Sequence, residues 1–109
     1  MTNSDATETT IQAGEKHVEN WLSRKGYTNI AKYIEADGPT AIEANGNVEN
    51  ILVLVKTIDS PNNPDQVTNL EVATIKARAE HLLRKAYVAY VVVDEDKKLI
   101  GEIMWERIG

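Results

Sequence analysis

The stretch Ile51-Leu52-Val53-Leu54-Val55-Lys56-Thr57-Ile58 is an apolar run broken near its end by a single lysine. A run of this length reads as a strand buried on both faces, so the chain must cover a sheet from two sides. Lysine is seldom fully buried without a partner, because desolvating an ammonium costs several kcal/mol. Lys56 must either reach solvent at the exit of the strand or meet an anionic group there. The carboxyl end of a central strand is also where open α/β sheets place their ligands. Lys56 is therefore the first candidate for a functional residue.

The flanking sequence supplies the rest of such a sheet. A first helix is expected from Thr9 or Thr10, with Thr9 and Gln12 as a capping-box pair. Ile11, Val18, Trp21 and Leu22 fall on one of its faces, and Gly26 follows Arg24-Lys25 as a terminating glycine. Strands are expected over 30–35, 40–44 and 50–58, with Asn45-Gly46-Asn47 as a hairpin turn. The loop over 59–69 contains Pro61 and Pro64 and ends in a second capping-box pair, Thr68 and Glu71. A second helix over 70–85 would bury Val72, Ile75, Ala79, Leu82, Leu83 and Ala86. The apolar segment 87–93 is then an internal strand, and a charged turn from Asp94 to Lys98 leads to a last strand over 99–106. The order is α-β-β-β-α-β-β. Strand three, helix two and strand four form a β-α-β unit, whose right-handed crossover sets two buried strands parallel. The expected fold class is α/β, a mixed central sheet flanked by helices.

Length and charge narrow the function. The 109 residues suffice for one core, placed here over 11–109 behind a polar tail, 1–10, expected to be disordered. Cysteine is absent, which excludes disulfides, thiol nucleophiles and cysteine-bound zinc. A formal net charge of −5 argues against general nucleic-acid binding, which relies on Lys and Arg neutralising phosphates. Arg24-Lys25, and Lys76, Arg78, Arg84 and Lys85 assigned to the second helix, are local basic groups that ordinarily only solvate a face. The opening segment lacks the order of a signal peptide, and no apolar run reaches membrane-spanning length. A cytoplasmic protein with no membrane partner is the expectation.

One family resemblance rests on particular residues. Gly14-Glu15 opens a helix that ends in Lys25-Gly26-Tyr27, and Lys56 closes strand three. Together with the element order, these resemble the core of the PD-(D/E)XK nuclease superfamily. This restriction-endonuclease-like fold is shared with Holliday-junction resolvases, and the likeness runs from about Ala13 to Arg107. It implies a glutamate on the first helix that helps bind metal, here Glu15 or Glu19. It further implies an aspartate at the start of strand two and an acidic-X-lysine motif on strand three. The carboxylates would hold Mg²⁺, a hard ion that takes oxygen ligands, and the lysine would orient the attacking water.

Lys56 matches the motif lysine, but Leu54 stands at the acidic position and Thr40 at the aspartate. Asp37, Glu35, Glu43 or Glu49 could supply a migrated ligand, with Asp37 best placed. An active enzyme would thus use Lys56 and Glu15 catalytically, with Asp37 and Glu15 holding Mg²⁺ and a nucleic acid as substrate. The two departures imply instead a nuclease fold degenerate at its active site. The second expectation is a non-catalytic interaction module on the same fold, pairing as a homodimer through an edge strand or the last strand near Trp105.

The remaining candidates read more simply. His17 and His81 lie on helices without a paired metal ligand. Trp21 belongs to the apolar stripe of helix one, and Trp105 caps the core at a strand end. The dispersed glycines form no phosphate-cradling loop, and no serine sits in a nucleophile elbow.

Overall fold

The computed structural model describes residues 9–33, 41–60 and 68–108. Residues 1–8 of the expected tail, Glu35, Asp37 and Thr40 lie outside them. The elements are α1 (Thr10–Arg24), β1 (Thr28–Tyr33), β2 (Ala41–Asn45), β3 (Asn50–Asp59), α2 (Asn69–His81), β4 (Lys85–Val93) and β5 (Met104–Arg107). They form one five-stranded sheet in the order β1-β2-β3-β4-β5. β3 and β4 run parallel, and every other neighbouring pair is antiparallel. The protein is thus α/β, with its most apolar strand in the middle of a mixed sheet.

Side chains alternate across the sheet, so β2, β3 and β4 each feed two clusters. On one face Ile42, Ala44, Ile51, Val53, Ala89 and Val91 pack with Val18 and Leu22 of α1. On the other, Ala41, Leu52, Leu54, Ala86 and Val88 pack with Ile75 and Ala79 of α2. Both helices start as their sequences foretell. Thr9 and Gln12 form one capping box, and Thr68 and Glu71 form the other. α1 ends before Gly26, whose φ of +92° is a left-handed conformation that glycine adopts without steric cost.

Several boundaries differ from expectation. α2 stops at His81, and Lys85 is the first residue of β4 rather than part of the helix. The helix is closed by hydrogen bonds from Leu83 N–H to Glu80 O and from Arg84 N–H to Ala79 O, at 3.1 and 2.7 Å. That is a Schellman closure, and its left-handed position is filled by Leu83 at φ +58°. A leucine there costs about 1–2 kcal/mol relative to a relaxed backbone, and no glycine marks the stop. Leu83 was expected to be buried, yet it is 88% exposed; Ile11, also placed in a buried stripe, is 63% exposed. β5 is shorter than expected because Gly101, at φ +71°, interrupts the chain after an isolated bridge between Val93 and Leu99. In β1, Asn29 at φ +52° coincides with a register shift between Thr28 and Ala31. Among the described residues no helix is long and apolar enough to cross a membrane.

Candidate functional site

Lys56 stands near the carboxyl end of β3 with the same parity as Leu52 and Leu54, so it faces α2. The group it meets is Glu71. In the capping box of α2, the Thr68 side chain accepts from the Glu71 N–H at 3.1 Å, and Glu71 Oε1 accepts from the Thr68 N–H at 3.0 Å. That leaves Oε2, which accepts from Lys56 Nζ at 3.1 Å. One carboxylate thus closes a helix end and neutralises the strand lysine. Burial works to raise the Glu71 pKa. The Thr68 N–H and the Lys56 ammonium outweigh it and hold the carboxyl below its ordinary value.

Glu15 lies on the other side of the sheet. It is 5% exposed on the buried face of α1, and Lys32 of β1 donates to it at 3.1 Å. Lys32 is registered opposite Ile42, which packs with α1. Lys56 and Glu15 therefore belong to opposite faces, and the fold does not bring them together. Leu54, where the resemblance would have an acidic ligand, is 2% exposed in the cluster beneath α2. Asp37, the other expected ligand, lies outside the described residues. Among the described residues, no three of His, Cys, Asp and Glu stand together as metal ligands. A hard divalent cation needs several oxygen donors around one point, and the described residues do not offer them.

Of the other proposed ligands, Glu43 projects on the face opposite Ile42, toward α2, where Arg84 Nη2 meets it at 3.1 Å. Glu49 accepts from the Tyr87 hydroxyl and lies 3.8 Å from Arg107. The hydrogen bond to Glu49, reinforced by burial and by the same negative charge, raises the Tyr87 pKa.

The basic groups are also redistributed. Arg78 is buried, with 7% exposure. Arg84 Nη1 donates to Ala44 O at 3.0 Å and to Asn45 Oδ1 at 2.9 Å, so it ties the α2–β4 junction to the end of β2. Lys76 and Lys85 remain exposed and make no ion pair among the described residues. They border a groove of about 420 Å³ between the end of α2 and the start of β4, with Ala79, Ala86 and Leu83 in its wall.

The aromatic residues lie across the sheet from that groove. Trp105 packs on Trp21 with ring centroids 4.7 Å apart and meets the edge of Tyr87 at 6.4 Å. It caps the core, as expected from its place at a strand end. His17 bonds Lys97 O at 2.9 Å, tying α1 to the charged turn.

Two residues escaped the sequence reading. Glu71 was visible as a capping residue, and its distance from Lys56 was not. Arg84 looked like one more solvating cation, and nothing local announces its acceptors forty residues upstream. Comparison with protein-family models and with curated proteins found no match.

Proposed function

We propose that this chain is a PD-(D/E)XK-like nuclease-fold protein whose catalytic apparatus has degenerated, and that it works as a non-catalytic interaction module. The observation that carries this reading is the environment of Lys56. Its ammonium is neutralised by Glu71, and the residue two positions earlier is a buried leucine. A catalytic lysine of this type needs a metal-bound water beside it, and a hydrocarbon at that place cannot hold the ion. The kinship is supported by the helix, the antiparallel meander and the parallel β3–β4 crossover in that order. Nucleic acid is the weaker partner class, because the chain carries a formal charge of −5 and Arg84 is engaged within the fold.

The test is incubation of the purified chain with branched and single-stranded DNA and with RNA, in Mg²⁺ or Mn²⁺. No cleavage is expected, and calorimetric titration with either ion should show no saturable binding. Metal-dependent cutting that disappears in both Lys56→Ala and Asp37→Asn would overturn the proposal and restore the enzymatic reading.

A further inference from the structure

Resting on that reading, we propose that the partner is the surface of an anionic lipid bilayer, met by the end of the molecule where β3 and β4 begin. Both helices finish at this end, and the chain turns there between β2 and β3. Val48, in that turn, is 97% exposed, and Leu83, just past α2, is 88% exposed. Arg84, the neighbour of Leu83, donates to Ala44 O and Asn45 Oδ1 at the base of the hairpin, so both aliphatic side chains belong to one anchored end.

Cations stand around them. Arg24 and Lys25 close α1, Lys85 opens β4 beside Leu83, and Arg107 ends β5; all four are exposed. The end of α1 reaches the hairpin through Tyr27, whose ring lies 2.7 Å from where a Cβ on Gly46 would sit. Most acids here are already engaged. Glu43 meets Arg84, and Glu49 accepts from the Tyr87 hydroxyl. Glu106 accepts from the Tyr90 hydroxyl, farther along the sheet. Among the described residues, Glu80 is the exposed acid that remains at this end.

The formal charge of −5 does not forbid such a contact, because the acids are unevenly placed. Asp59, Asp94, Glu95 and Asp96 lie at the opposite end, where β3 and β4 finish. The ten residues of β3 separate the two ends by about 33 Å, roughly four Debye lengths in physiological salt. Val48 and Leu83 then decide among anionic partners. The phosphates of a nucleic acid gain nothing from exposed aliphatic side chains. A bilayer takes such side chains into its acyl boundary while its headgroups meet the cations. Trp21, Tyr27, Tyr87 and Trp105 are half-buried at the same end, and such rings favour interfacial depth. No helix among the described residues can span a membrane, and a surface contact requires none.

The experiment is flotation of the full chain with vesicles of about 30 mol% phosphatidylserine in phosphatidylcholine, paralleled by the fluorescence of Trp21 and Trp105. Binding is expected to these vesicles and not to pure phosphatidylcholine, and it should weaken as salt rises. Lys25→Glu with Lys85→Glu should weaken it at least about tenfold. Lys97→Glu with Lys98→Glu, the same charge change at the far end, should leave it within about twofold. Val48→Ser and Leu83→Gly should each weaken binding about fivefold. Leu83→Gly relieves the left-handed backbone, so misfolding cannot account for its loss. Absence of binding to the anionic vesicles would overturn the proposal. So would equal losses from the two charge pairs. Binding indifferent to both aliphatic substitutions, and matched by duplex DNA or polyglutamate, would mark a general polyanion site and overturn it too. DNA cutting sinks only the non-catalytic reading and leaves the lipid result standing.

Discussion

α1 and α2 lie against opposite faces of one sheet and begin with the same capping chemistry, yet they are held in different ways. α1 buries Ala13, Gly14, Glu15, Val18 and Leu22 and touches β1, β2, β3 and β4. Its backbone approaches β3 so closely at Gly14 that an added Cβ would lie 1.6 Å from Thr57 Oγ1. α2 buries only Ile75, Arg78 and Ala79, and its main contacts are with β3 and β4. It leaves Leu70 and the adjoining Leu83 in solvent, 77% and 88% exposed. α1 ends on a glycine at positive φ; α2 ends on a strained leucine. A shared cap starts both helices, but packing decides how far each is committed. One helix is closely seated on its face of the sheet, and the other more loosely.

The largest effect should come from breaking the closed face. Gly14→Ala forces a methyl into Thr57 and is expected to lower stability by about 3 kcal/mol, measured by urea denaturation. Thr57→Ala in that background removes the nearest atom and should recover part of the loss. A cost below about 1 kcal/mol would mean that α1 is no more tightly seated than α2.

The next comparison exchanges the two helix ends. Gly26→Ala should destabilise by about 1 kcal/mol, whereas Leu83→Gly should stabilise by a similar amount, since each alters the same left-handed position in opposite directions. Equal signs for the two variants would remove the contrast.

The smallest effect concerns the ion pair beneath α2. Because the folded pKa of Glu71 is lowered, its contribution is present above the ordinary carboxylate value. That contribution is lost as pH falls through the lower folded value. Glu71→Gln should flatten that acid limb of the stability curve and cost less than about 1 kcal/mol near neutrality, as befits a partly exposed pair. Tyr87, whose folded pKa is raised, acts at the other limb. Its contribution is present below the ordinary tyrosine value and is lost as pH rises through the folded one.

Most of the architecture was legible because its signals are local. The apolar runs of β3 and β4, the two capping boxes, Gly26 and the Asn45-Gly46-Asn47 turn each mark an element within a few residues. The end of α2 was misread because leucine occupies a position that glycine normally announces. The start of β5 was misread because Gly101 was not weighed as an interruption. The candidate site was legible only in part. That Lys56 would either reach solvent or meet an anion follows from the energetics of burying an ammonium. That the anion is Glu71 does not, since the pair joins residues from two elements.

The sequence by itself determined the number of strands and helices, their order, and the presence of a cation at the exit of the central strand. These depend on side-chain period and on backbone preferences that act over a few residues. Only the tertiary structure decided that Lys56 and Glu15 stand on opposite faces, that Arg84 fastens β2, and that Leu83 reaches solvent beside a groove. Those outcomes turn on which helix covers which side of the sheet and on strand register. Alternation fixes the faces of a strand relative to each other, and packing alone selects the neighbour each face receives.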